Sequence, residues 1–245
     1  MNSKQLRKIF HPFTKIPGVR PLLGGLYRKL IYEPARKREI ANFQKNGLTI
    51  LREFDSILRN LDIPYCLIWG SLIGAVREKG FIKHDFDIDV AMWREDYSDA
   101  MDKALLDAGF RHVQRFLIDG GENGMEDTYE KEGVAIDIFY FVTDSATGSS
   151  FCCTLDYIHG EVTWEDCFKK YGTTTLFRHD IPLPHKFVYT PFESIELPIP
   201  ENYDFILRGV YGDNYMTPDP NWTRGVSPFR SDFIGRKIEY QTYDK

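Results

Sequence analysis

The chain has 245 residues, of which 42% are hydrophobic, 27% charged and 15% aromatic. These values are typical of one large folded domain and argue against a disordered or low-complexity chain. A formal net charge of −5 excludes a strongly basic protein that coats nucleic acid. Four cysteines are too few for a disulfide framework, and no apolar run reaches the roughly 20 residues that cross a bilayer. We therefore expect a cytoplasmic protein with no nucleic-acid partner.

Positive charge is concentrated in the first 40 residues, where ten lysines and arginines stand against two acids. We delimit residues 1–39 as a basic N-terminal arm with short helical pieces. Anionic lipids would attract residues 1–38, which would hold the protein peripherally at the inner face of a membrane. A solvated surface or an oligomer contact explains the same composition equally well.

Hydrophobic spacing predicts helices and strands through the rest of the chain. Apolar residues recur at helical spacing over 35–62, where we expect a long amphipathic helix. Strands are then predicted at 65–69, 85–92, 110–118, 125–131, 134–142 and 151–155, and helices at 72–79 and 95–108. The strands at 125–131 and 134–142 should form a hairpin around Glu132-Gly133. In the second half, from 156 on, the pattern predicts an irregular middle, an extended pair near 187–189 and 195–197, a helix near 202–211, and a loop over the last 25 residues. This order favours an α+β fold with a mixed sheet flanked by helices, not a doubly wound parallel sheet.

Two aspartates alternate with apolar residues in the strand that is predicted over 85–92. Because side chains alternate between the faces of a strand, Asp87 and Asp89 share one face and repel each other unless a divalent cation or a shared proton compensates. Asp137 lies within a second apolar strand, where an uncompensated charge would be costly. We interpret these three residues as ligands of one metal and as the catalytic residues. In the alternative, Asp85 and Asp87 are turn residues and Asp137 pairs with a core arginine.

A glycine and a serine follow the strand that is predicted at 65–69, at the start of a short helix. Free backbone N–H groups at such a turn bind anions, and the serine could both cap the helix and donate to a phosphate. Basic side chains follow within a few turns. The alternative is an ordinary serine N-cap with solvated cations. The candidate phosphate-binding residues are Gly70, Ser71, Arg77, Lys79 and Lys83.

The segment from Tyr65 to Val90 resembles the signature of the LicD/fukutin family, G-[TS]-L-L-G-A-V-R-x-x-G-F-I-x-x-D-x-D-I-D-V. The similarity continues in the triplet that starts at Asp137 and in residues 197–213, so it covers about 45–215. Two departures are His84, where tryptophan is common, and Phe86, where a third aspartate is frequent. The resemblance implies a nucleotidyltransferase-like catalytic domain, which we delimit as 40–215, followed by an irregular extension, 216–245.

The resemblance also implies an activity. A phosphoryl-alcohol, such as phosphocholine or a polyol phosphate, would move from a CDP-linked donor to a hydroxyl of a glycan or lipid-linked glycan, and CMP would leave. Mg²⁺ or Mn²⁺ would bind the donor's phosphates, and Asp137 would orient or deprotonate the attacking hydroxyl. Two alternatives stay open: transfer of NMP from an NTP with release of pyrophosphate, and an inactive nucleotide-binding module.

Thiol and imidazole groups between residues 152 and 179 allow a second metal hypothesis, since both groups suit Zn²⁺. The spacing is not that of a C-x₂-C pair, and adjacent cysteines chelate poorly. We therefore prefer buried free thiols to a zinc site. The candidates are Cys152, Cys153, His159, Cys167 and His179.

Overall fold

The computed structural model describes Leu6 and residues 28–158, 161, 163–219, 222 and 227–243. Most of the predicted basic arm, residues 1–5 and 7–27, and His159 therefore lie outside the described residues. Within them, a π-helical turn, Arg28–Tyr32, leads into helix α1, Glu33–Asn60. The last residues of the predicted arm thus form the first turns of the long helix.

Helix α1 is the long amphipathic helix that the hydrophobic spacing predicted. A proline lies in its first turn, where its missing N–H leaves no helical hydrogen bond unmade. Its buried face carries Phe43, Leu51 and Phe54, which pack in the main hydrophobic core. In the part of the chain that is described, no helix is both long and apolar enough to span a membrane.

The described residues form eleven strands and four helices after α1. The strands are β1 (Cys66–Leu67), β2 (Asp87–Trp93), β3 (Arg111–Ile118), β4 (Met125–Lys131), β5 (Val134–Thr143), β6 (Ser150–Asp156), β7 (Thr175–His179), β8 (Phe187–Phe192), β9 (Ile195–Pro200), β10 (Arg230–Asp232) and β11 (Ile238–Thr242). The helices are α2 (Trp69–Ile73), α3 (Asp99–Asp107), α4 (Trp164–Tyr171) and α5 (Tyr203–Tyr211). A π-helical turn, Gly74–Glu78, directly follows α2.

Nine of these strands form one mixed sheet in the order β10-β7-β6-β5-β4-β3-β11, with β2 beside β5 and β1 beside β2. β2 and β5 are parallel, whereas the other pairs of this sheet are antiparallel. β8 and β9 form a separate hairpin. The predicted α+β class with a mixed sheet is therefore confirmed, as is the hairpin of β4 and β5.

The second half of the chain is more regular than the sequence predicted. α4 and β7 lie in the stretch that was expected to be irregular, and β10 and β11 lie where a terminal loop was expected. The loop prediction was wrong because these strands are short and take their partners, β7 and β3, from distant parts of the sequence. Both belong to the main sheet, and the division of the chain at residue 215 stays a prediction.

Candidate active site

The strands that carry the predicted acids open onto a cleft of about 540 Å³. Among the described residues, seven carboxylates and three arginines line it: Asp85, Asp87, Asp89, Glu126, Asp137, Asp156, Asp219, Arg36, Arg77 and Arg230. The structure therefore brings the three predicted catalytic acids to one cleft. An excess of carboxylates makes this cleft suited to a cation.

The pairing of β2 with β5 places two of the acids side by side. The strands are in register, so Asp89 is the partner of Asp137, and Asp87 lies two residues earlier on the face of Asp89. On the other side of β5, Thr128 is the antiparallel partner of Asp137. Its hydroxyl donates to Asp137 Oδ1 at 2.5 Å, which orients that carboxylate.

Gly70 lets the first turn of α2 come close to the acids. A Cβ atom at this position would lie 3.5 Å from Oδ2 of both Asp85 and Asp89. The preceding residue, Trp69, has a φ of 48°, a left-handed conformation that is unusual for a bulky side chain. The N–H of Ile68 donates to the carbonyl of Asp89 at 3.1 Å. This backbone hydrogen bond therefore holds the strained turn against β2, beside the carboxylates.

Ser71 lies at the same turn, but it does not cap the helix. α2 begins at Trp69 with Ile68 as its N-cap, so Ser71 lies inside the helix. Its side chain is buried, and its Oγ accepts a hydrogen bond from the Asp89 N–H at 2.9 Å. The predicted N-cap was wrong because the helix starts three residues earlier than the sequence pattern indicated. Ser71 instead fixes the backbone of the strand that carries the acids.

Of the three lysines and arginines predicted to bind phosphate, Arg77 lines the cleft. Its Nε donates to Glu78 Oε1 at 2.7 Å, and a terminal nitrogen donates to the Tyr215 carbonyl at 3.2 Å. Arg77 thus joins the turn after α2 to the segment that follows α5. Lys79 and Lys83 are exposed and do not belong to the lining, so the structure does not bring them to the acids.

Four acids of the described lining, among them Asp85 and Glu126, were not among the predicted site residues. Burial raises the pKa of Asp85 to about 6, although the charges of His84, Arg36 and Arg77 oppose the shift. The two-residue spacing of Asp87 and Asp89 continues backwards to Asp85. This spacing could have predicted Asp85 as a site residue. Glu126 lies two residues before Thr128 on β4, so the same two-residue rule assigns it to the face of Asp137.

The donor atoms of this cleft suit magnesium, although the described side chains do not form a complete cage. Carboxylate oxygens are the ligands that Mg²⁺ and Mn²⁺ prefer. Within the described ranges, no three histidine, cysteine, aspartate or glutamate side chains have the arrangement of a metal site. Mg²⁺ is commonly held by one or two carboxylates and completed by substrate phosphates and water, a composition that Asp87 and Asp89 fit. The metal stays a prediction.

The zinc candidates are distributed over different parts of the fold. Cys152 and Cys153 are adjacent on β6 and enter two separate buried clusters, because successive side chains face opposite sides of a strand. Burial raises the pKa of the Cys152 thiol well above its ordinary value and that of Cys153 to about 12, so neither is a ready thiolate ligand. Cys167 is buried on α4, and His179 lines the cleft with its Nε2 2.8 Å from the Thr154 hydroxyl.

A family described as "LicD/FKTN/FKRP, nucleotidyltransferase domain" matches residues 62–202. The chain belongs to this family. The matched LicD-family region contains the Gly70 turn and the acids Asp87, Asp89 and Asp137. Two arginines of the cleft, Arg36 and Arg230, lie outside it.

Individual relatives of this LicD-family chain include named transferases. Mouse ribitol-5-phosphate transferase FKTN is 26% identical over 190 residues, which make up 76% of this chain and 36% of the mouse protein. The human protein of that name is 24% identical over 194 residues, or 78% of this chain and 37% of its own length. Lipopolysaccharide cholinephosphotransferase LicD of Haemophilus influenzae is 47% identical over 55 residues, 22% of this chain and 21% of that protein. The chain thus spans little more than a third of the ribitol-5-phosphate transferases.

Proposed function

We propose that this chain is a metal-dependent transferase with a nucleotidyltransferase-like core. It moves a phosphoryl-alcohol, phosphocholine or a polyol phosphate, from a CDP-linked donor to a hydroxyl of a glycan, and it releases CMP. The proposal rests on one observation: Asp87, Asp89 and Asp137 line the same cleft, and all three lie within the residues that match the family. The names of the relatives support it, since they specify transfer of ribitol phosphate and choline phosphate.

The metal proposed for this reaction is Mg²⁺ or Mn²⁺. Asp87 and Asp89 would hold it together with the donor's phosphates, and Asp137 would be a further ligand. Such an ion, when bound, supplies positive charge that stabilises the diphosphate as CMP leaves. Because Gly70 has no side chain, the first turn of α2 adds no Cβ atom beside Asp85 and Asp89, and the phosphates would lie next to this turn.

Asp137 has a second proposed role in the chemistry. The glycan hydroxyl attacks the phosphorus of the phosphoryl-alcohol, a new O–P bond forms, and the bond from that phosphorus to the CMP oxygen breaks. The hydroxyl's proton passes to Asp137, whose carboxylate is oriented by the bond from Thr128. The electron pair of the broken bond leaves with CMP.

Product analysis tests this function. Purified protein is incubated with Mg²⁺, CDP-choline or CDP-ribitol, and a panel of glycan acceptors, and CMP release is followed by chromatography. We expect CMP with one donor, dependent on the acceptor and abolished by EDTA. Parallel reactions contain nucleoside triphosphates, because the matching family is described as a nucleotidyltransferase domain. Pyrophosphate release without CMP would show the alternative, NMP transfer, and no product with any donor would favour an inactive nucleotide-binding module.

The proposed acceptor is a glycan or a lipid-linked glycan, and the proposed location is the cytoplasmic side of a membrane. The support is the positive charge of the first 40 residues, which attracts anionic lipids and is screened by salt. Sedimentation with anionic vesicles tests the contact: the full chain should bind at low salt and be released at high salt. A variant that lacks residues 1–27, and with them five of the ten cations, should bind more weakly. Equal sedimentation of the two proteins would contradict it.

A further inference from the structure

A donor with two phosphates has to enter a cleft whose charged lining residues are mainly acidic. The described lining holds seven carboxylates and three arginines, so repulsion opposes the donor unless cations are placed to meet it. Arg77 already donates to Glu78 and to the Tyr215 carbonyl. Arg36 and Arg230 are the other arginines of the described lining, and both lie outside the family match.

The guanidinium of Arg36 lies over an aromatic ring that is next to two acids of the cleft. Its guanidinium carbon lies 3.2 Å from the ring centroid of Phe86, and Phe86 stands between Asp85 and Asp87. A guanidinium that stacks through its face keeps the N–H groups at its edge available for an oxyanion. Its ion pair with Glu39 is long, at 3.8 Å, and 29% of the Arg36 side chain is exposed.

The position of Arg36 in the fold distinguishes it from the remaining arginine of the lining. Arg36 lies over Phe86, which directly precedes β2 and stands between two of the acids. Arg230 also lies over an aromatic ring, with its guanidinium carbon 3.5 Å from the ring centroid of Phe177. It belongs to β10, however, and three strands lie between β10 and β2 in the sheet. Arg36 is therefore the better placed of the two to meet a ligand held by the β2 acids.

We propose that Arg36, held on Phe86, binds a phosphate of the donor. The identity of that donor as a nucleoside diphosphate rests on the proposed function. The role would extend the site beyond the matched region into helix α1, which begins inside the segment that the sequence defined as a peripheral arm. Because a guanidinium presents a planar fork of donors to phosphate oxygens, lysine should replace it only in part.

Calorimetric titration with inorganic pyrophosphate in Mg²⁺ buffer tests this assignment. We expect the wild type to bind and Arg36→Gln to bind roughly 10-fold more weakly, since a charge-assisted hydrogen bond is lost. Arg36→Lys should lie between them. Phe86→Leu keeps the charge of Arg36 but removes the aromatic ring over which its guanidinium lies. This variant should therefore also lose part of its affinity for pyrophosphate. The matched control is Arg111→Gln, which removes an exposed arginine that is paired with Glu130 outside the cleft lining.

Several outcomes would overturn the assignment. They are absence of pyrophosphate binding by the wild type, wild-type affinity in Arg36→Gln, and an equal loss in Arg111→Gln. Thermal melts of every variant show whether a loss reflects unfolding, and if the glutamine variant does not fold, Arg36→Lys and Phe86→Leu still give a decision. The two proposals fail separately: CDP-alcohols that give no CMP would remove the proposed function, whereas the pyrophosphate titration would still decide the role of Arg36.

Discussion

A group of aspartates and a single aspartate lie on opposite faces of the same sheet. Asp137 faces the cleft with Asp87 and Asp89, and Thr128 on β4 reaches it from the same side. The neighbour of that threonine, Asp127, points to the other face and is completely buried. The two faces of one hairpin therefore carry acids in different surroundings.

The surroundings of Asp127 compensate its charge within the protein. Arg115 donates to its two carboxylate oxygens at 2.7 and 2.9 Å, His112 Nε2 lies 3.0 Å from Oδ1, and the Tyr140 hydroxyl donates at 3.1 Å. Burial alone would raise the pKa of Asp127, but the hydrogen bonds from His112 and Arg115 outweigh it and lower the pKa. In the cleft, by contrast, burial dominates and raises the pKa of Asp85 to about 6.

The contrast teaches how to separate structural from functional acids in this fold. A carboxylate that protein cations surround stabilises the folded state, and nothing is left for a ligand to supply. Carboxylates that are grouped with other carboxylates repel one another, and a bound cation relieves that repulsion. Each group should accordingly respond in its own way when one acid is neutralised.

The largest effect is expected on activity in the cleft. Asp87→Asn, Asp89→Asn and Asp137→Asn should each lower CMP release on the order of 1,000-fold, because the proposed metal ligands or base are lost. Stability should be unchanged or higher, since one repelling charge is removed. Melting curves with Mg²⁺ should show a shift for the wild type that is absent from the variants. Equal shifts in all four proteins would contradict the shared metal site.

The matched change on the other face is Asp127→Asn, which should act on stability. It leaves the partly buried Arg115 and the buried His112 without their nearest carboxylate, since Asp102 lies 3.7 Å from each, and should lower the free energy of unfolding by about 3 kcal/mol. Urea unfolding measures the loss. Enzyme that remains folded should keep most of its activity, because Asp127 does not line the cleft. If the variant were as stable as the wild type, the hydrogen bonds around Asp127 would not contribute to the stability of the fold.

The pH dependence of stability separates the two faces further. Because the pKa of Asp127 is lower in the folded state than in the unfolded chain, its contribution is fully present above the unfolded value of about 3.9. The contribution is lost as the pH falls through the lower, folded pKa. The difference in unfolding free energy between wild type and Asp127→Asn should thus shrink below about pH 4. If this difference in unfolding free energy grew as the pH fell, the pKa of Asp127 would be raised in the folded state, which would contradict this account.

A smaller effect is expected from Gly70→Ala. The new Cβ would make ordinary van der Waals contacts with Asp85 and Asp89, so the protein should fold with a stability within about 1 kcal/mol of the wild type. The methyl group would occupy the space proposed for the phosphates, and we expect a roughly 10-fold higher KM for the donor. Gly74→Ala is a contrasting control, because its Cβ would lie 2.6 Å from the Gly80 carbonyl and should destabilise the fold. Unchanged KM in Gly70→Ala would place the phosphates elsewhere.

Local patterns along the chain predicted the elements that depend on neighbouring residues. The 3.6-residue spacing of apolar side chains identified α1, and the two-residue alternation identified the face that Asp87 and Asp89 share. The tight turn at Glu132 identified the hairpin of β4 and β5. These features could be predicted because each is specified within about ten consecutive residues.

Tertiary structure decided the contacts between distant segments. Ser71 became a support for Asp89, Arg36 reached the cleft from α1, and Arg230 reached it from a strand where a loop was expected. Periodicity states which side of an element is buried, but it does not state which other element covers that side. The choice depends on burial and hydrogen bonding summed over the whole sheet, so the carboxylate face was determined by the local sequence, whereas the arginines that surround it were placed by the fold.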